Sequence, residues 1–222
     1  ARGGVGGGGL WLSASVGGCG VRSRGCDGVG PAAGLCGALL AWAWLRLARP
    51  RSQNLRVFLC LLFAFASFWN VGYMVFSGLL DRGDWKFVTE GLKPVAGWHA
   101  ALVVLGVVLY VAAMRALGAA LVRNFDHAGT GWRPQSCAVI ALAGAAVLAT
   151  AGAVFDPRGH AIILTDALPS ALSSFGLVRV GFAVYRRRPG LRISTPTSPV
   201  WIAVGFVCTA IFVALLGPGL RF

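Results

Sequence analysis

Polar side chains stand at positions where an apolar sequence has no ordinary use for them. Asn70, Tyr73 and Ser77 fall inside FWNVGYMVFSGLLDRGDW, which closes on Asp81 and Asp84, and Asp166 falls inside AIILTDALPSALSSFG. With Ser67, the first three are spaced by three, three and four residues, which sets them on one helical stripe. Hydrocarbon cannot satisfy such groups, so the stripe must face other helices or a wet cavity. Two uses stay open. The groups either hydrogen-bond between helices, at about 1 kcal/mol each, or they form half of a site.

Asp166 is the more expensive residue, since a carboxylate at the centre of a bilayer costs about 2.5–3.5 kcal/mol and is by default a functional group. Ser170 and Ser173 share its helical face, and Pro169 follows three residues later. Because His160 is close by in sequence, the same aspartate would also serve as a structural cap near the interface. His99 and His160 belong to the same side of the chain as Asp81, Asp84 and Asp156. Imidazole and carboxylate together suit zinc, although ordinary surface residues would present the same set. No H-E-x-x-H, phosphate loop, dinucleotide fingerprint or nucleophile elbow occurs.

The elements that must position these groups follow from composition. The chain has 222 residues, 57% hydrophobic and 12% charged, about half the charge of a soluble domain. Apolar runs recur at about 30–48, 55–80, 95–122, 135–155, 161–185 and 199–217. Runs of this length predict bilayer-spanning helices. The expected fold is all-α, a polytopic transmembrane bundle of about six spans over residues 30–222, with residues 1–29 a flexible glycine-rich lead-in. Ala112, Ala116 and Ala120, and Ala141, Ala145, Ala149 and Ala153, recur every fourth position and predict close helix packing within the bundle.

The formal net charge of +13 does not point to nucleic acid, because the arginines sit in the gaps between apolar runs. Gap 46–56 carries Arg46, Arg49, Arg51 and Arg56 with no acid, and gap 186–198 carries Arg186, Arg187, Arg188 and Arg192. Gap 115–134 is also basic, whereas gaps 81–93 and 156–160 balance. The positive-inside rule makes the first, third and fifth gaps cytoplasmic and both termini external. The arginine clusters read as topology signals and, alternatively, as contacts for lipid headgroups. Cys36, Cys60, Cys137 and Cys208 lie in apolar runs as small hydrophobes, Cys19 and Cys26 have no C-x-x-C spacing, and no disulfide framework is expected.

The runs GPAAGLCGALLAWAWLRL and FWNVGYMVFSGLLDRGDW, with LLGPG near 215–219, resemble bacterial integral membrane proteins related to the M50 (site-2-protease-like) zinc metallopeptidases, over about residues 30–130. The resemblance implies that Gly30-Pro31 opens the second conserved element, and that Asn70 with Asp84, or Asp81 as its substitute, forms the third, the aspartate being a zinc ligand. It also implies an H-E-x-x-H helix ahead of residue 30, where this sequence has the glycine-rich lead-in. Catalysis is therefore expected only with an upstream segment, and the chain as given would be incomplete or inactive. The alternatives are a non-catalytic accessory or scaffold subunit of a membrane complex and a transporter lined by Asn70, Asp166 and Arg179. All three place the chain in the cell (inner) membrane as a multi-pass protein whose partners are the lipid bilayer and other membrane subunits.

Overall fold

The computed structural model describes residues 24–48, 50–81, 85, 89, 92–125, 131–154, 172–194 and 198–216. Among them run six helices: α1 (Arg24–Leu47), α2 (Gln53–Leu80), α3 (Val95–Asn124), α4 (Pro134–Val154), α5 (Phe175–Arg187) and α6 (Pro199–Leu216). The chain is all-α. The β pairing found among the described residues is an isolated antiparallel bridge between Trp132 and Ile193. Helices α2, α3 and residues 134–151 of α4 are long and apolar enough to cross a membrane, so the chain is a membrane protein with transmembrane helices.

The helix ends are written in the sequence. Ser52 caps α2, its hydroxyl accepting from Leu55 N–H at 3.4 Å. Asp81 ends the same helix in the left-handed region, at φ 50°, which a short polar side chain tolerates better than most. Pro134 and Pro199 open α4 and α6, where the missing N–H would have gone unsatisfied in any case. Arg186 and Arg187 close α5, placing cations against the negative end of the helix dipole.

The fifth apolar segment, expected over 161–185, meets the structure only in part. Helix α5 covers Phe175–Arg187, and residues 155–171 lie outside the described part of the chain. Its 13 residues rise about 20 Å, less than the ~30 Å of bilayer hydrocarbon.

Helix α2 is the hub, packing most heavily on α3 and α1, while α5 packs on α4 and α3. Helix α6 reaches α4, and its Trp201 ring lies 5.7 Å from that of Phe58 on α2. The core is drawn from one half of the bundle. It comprises Ala41 and Leu45 late in α1, Leu59 to Phe68 early in α2, Leu117 and Leu121 late in α3, and Val180 and Val184 late in α5. Contact between helices is closest at isolated glycines. A Cβ on Gly106 would meet Val75 Cγ2 at 2.6 Å, and one on Gly181 would meet Ala138 Cβ at 2.9 Å and Pro134 O at 3.0 Å. The alanine stripes are less committed than their spacing suggests: Ala120 is buried, Ala141, Ala145 and Ala149 are half-buried, and Ala112 is exposed. The partners come from neighbouring helices, so periodicity within one helix does not show which small residue is covered.

Candidate functional site

The two ends of the bundle differ in charge. Backbone and side-chain bonds tie together the stretches that were read as basic gaps. Arg123 donates to Leu45 O at 3.1 Å, Arg56 donates to Asn124 O at 3.0 Å and to Pro50 O, and Trp132 and Ile193 exchange N–H···O bonds of 3.0 and 2.9 Å. The first, third and fifth gaps therefore meet at one end. They carry eleven of the chain's 20 basic residues and one, Asp126, of its seven acidic ones. Arg56 and Arg123 satisfy carbonyls left open at the ends of α1 and α3.

At mid-depth, the α2 stripe divides. The Asn70 side-chain amide donates to Ala66 O at 2.7 Å in its own helix, and it lies where a Cβ on Gly34 of α1 would be. Tyr73 is half-buried, its ring stacked on Phe76 at 6.2 Å. Ser77 is 1% exposed, and its hydroxyl finds no hydrogen-bond partner among the described residues. These groups face different neighbours: Asn70 meets α1, while Gly78, beside Ser77, abuts Val103 and His99 O of α3. The stripe does not converge on one point.

A second polar centre was not visible in the sequence reading. Tyr110, at the middle of α3, donates its hydroxyl hydrogen to Ser173 O at 2.6 Å and accepts from Gly176 N–H at 2.9 Å. Its ring lies 5.0 Å from Phe68. The hydroxyl thus serves both a carbonyl and an amide at the start of α5, groups that hydrocarbon would leave unsatisfied. Toward the end opposite the arginines, Tyr110 and Ser173 border an open groove of about 390 Å³ lined by Gly72, Val75, Phe76, Leu79, Val107 and Val111. The polar signal for this centre was one tyrosine inside an apolar run; its partners are main-chain atoms, which have no residue signature.

At the far end of the groove side, His99 Nε2 stands 3.5 Å from Asp81 Oδ1, joining the C-terminus of α2 to the first turns of α3. Asp84 and Asp166 lie outside the described residues. Among the described residues no three His, Cys, Asp or Glu side chains converge as a metal would require. Arg179 is exposed on α5, and Asn70 sits at the α1 contact. Cys60 and Cys137 are free thiols lining a small apolar cavity of about 40 Å³ between α2, α3, α4 and α5.

No protein-family model matches this chain, and neither a curated protein nor a solved structure matches it.

Proposed function

We propose that this chain is a six-span protein of the cell (inner) membrane, with its arginine-rich end in the cytoplasm, and that it acts without catalysis as an accessory or scaffold subunit of a membrane complex. One observation carries the reading. Helix α4 is long enough to span, yet 11% of its most apolar stretch is buried, against 44% for α2. Its exposed side repeats at four-residue spacing: Ile140, Gly144 and Leu148, flanked by Val139, Ala143 and Val147. A Cβ on Gly144 would meet nothing within 4 Å among the described residues. A glycine at the centre of an apolar helical stripe lets a second transmembrane helix approach closely and gain dispersion contact.

The test is to purify the tagged protein from its native membrane in mild detergent, as wild type and as Gly144→Leu. The expected result is a stoichiometric membrane partner that the variant loses while keeping its helix content. Equal recovery of the partner by both proteins removes α4 as the docking helix. Single-cysteine labelling at residue 190 and at residue 92 tests the orientation, with residue 190 expected to react from the cytoplasmic side.

The M50-type zinc peptidase reading draws on one contact. Asn70 seats against Gly34, one helical turn beyond Gly30-Pro31, so the two elements that the resemblance pairs are neighbours. Its zinc ligand Asp84 and an upstream H-E-x-x-H would have to complete it. Metal analysis of the protein from its native membrane decides this reading: stoichiometric zinc lost in Asp84→Ala supports it, and zinc-free protein ends it.

A further inference from the structure

Seven of the eleven arginines at the basic end fall into two groups. Arg56, Arg123 and Arg192 spend their guanidinium groups on main-chain carbonyls: Pro50 O and Asn124 O for Arg56, Leu45 O for Arg123, Pro189 O and Leu191 O for Arg192. Arg186, Arg187 and Arg188 are exposed, and their guanidinium groups hydrogen-bond to no acceptor among the described residues. Arg133 is exposed too. It stands 5.4 Å from the Tyr185 ring centroid and makes a 3.4 Å contact with the hydroxyl of that tyrosine.

The second group is held in place. The Trp132–Ile193 pairing fastens the loop after α5 to the residue before Arg133, and Gly131 permits it, since a Cβ there would strike the main chain at Ile193 and Ser194. Four guanidinium groups with no carboxylate partner among the described residues are thereby kept beside Trp132, which is 55% exposed, and Tyr185, the side chains that favour the headgroup level. A topology signal needs only charge somewhere in a loop. It does not need the loop pinned.

We propose that Arg133, Arg186, Arg187 and Arg188 form a docking platform for anionic phospholipid headgroups, with the phosphate diesters as acceptors. Guanidinium groups offer planar paired donors to phosphate oxygens, and a bilayer surface brings such phosphates to this depth. The proposal is independent of any partner subunit and of catalysis, because its ligand is the membrane itself.

The test uses the full chain in mild detergent with phosphatidylglycerol and phosphatidylcholine of matched acyl chains added in equal amounts, and native mass spectrometry counts the lipid retained. Wild type is expected to keep phosphatidylglycerol preferentially. Replacing the four arginines by glutamine should abolish that preference, each lost charge weakening retention by about fivefold. Gly131→Val keeps every charge but unpins the loop, and should lower the preference by a smaller factor. Arg82→Gln with Arg158→Gln, in the gaps assigned to the other side, should leave it unchanged. Wild type retaining both lipids equally overturns the proposal, whether or not the quadruple variant folds. So does a folded quadruple variant that keeps the preference. Inorganic phosphate at tens of millimolar displacing the lipid completely would assign the platform to a soluble anion instead, and would overturn the lipid assignment.

Discussion

The basic end and the opposite end of this bundle are built from the same helices and end in different states. At the basic end, arginines close the open carbonyls of α1 and α3, two loops pair by main-chain bonds, and Leu45, Leu117 and Leu191 are fully buried. At the other end Leu79, Leu80, Val95 and Trp98 are exposed, a groove of about 390 Å³ opens between α2 and α3, and the buried Ser77 hydroxyl finds no partner among the described residues. The difference teaches where the stability of a small membrane bundle is placed. Lipid is as apolar as leucine, so burial alone gives helices little reason to associate. Close contact and satisfied polar groups decide it, and both are concentrated at one end.

Three substitutions break or sharpen that contrast. The largest effect is expected from Gly181→Val, because the new side chain meets the main chain of α4 at Pro134 and Gln135, which cannot give way. We expect a loss of about 3 kcal/mol, read as a lower midpoint of detergent-induced unfolding followed by circular dichroism. An unchanged midpoint would mean the closed end is not closed by this crossing. Tyr110→Phe comes next. It keeps the ring on Phe68 but strips two main-chain groups of their partner, and should cost about 1–2 kcal/mol by the same assay. A neutral result would show that water reaches the start of α5 from the groove. The smallest effect, with opposite sign, belongs to Ser77→Ala. Removing a buried hydroxyl that has no partner among the described residues should leave stability unchanged or raise it by up to about 1 kcal/mol. A clear destabilisation would reveal that Ser77 holds a group beyond the described residues, and would restore the α2 stripe as a candidate site.

Much of the architecture is legible before folding. Pro94, Pro134 and Pro199 mark where α3, α4 and α6 begin, and the arginine-rich gaps identify the stretches that the structure gathers at one end. The polar stripe on α2 was legible as a face, but its division between α1 and α3 was not, because a stripe does not specify its neighbours. Tyr110 escaped notice because its partners lie 63 and 66 residues away and are main-chain atoms. The crossings at Gly106 and Gly181 escaped for a related reason. Each glycine is explained only by the side chain or carbonyl that another helix brings to it. Alanine recurs at regular spacing in α4, while Gly144 of the same helix has nothing within 4 Å of its Cβ position among the described residues.

The pairing of Trp132 with Ile193 has a mechanical consequence. The connections leading into α4 and out of α5 are fastened together at one membrane surface. The 30 residues of α3 measure about 45 Å, more than the ~30 Å of bilayer hydrocarbon, an excess that a helix takes up by tilting against its neighbours or by reaching into the headgroup region. Helices fastened at one surface lean by swinging the other end. A change in bilayer thickness is therefore taken up at the end away from that pairing, where Leu79, Leu80, Val95 and Trp98 are exposed.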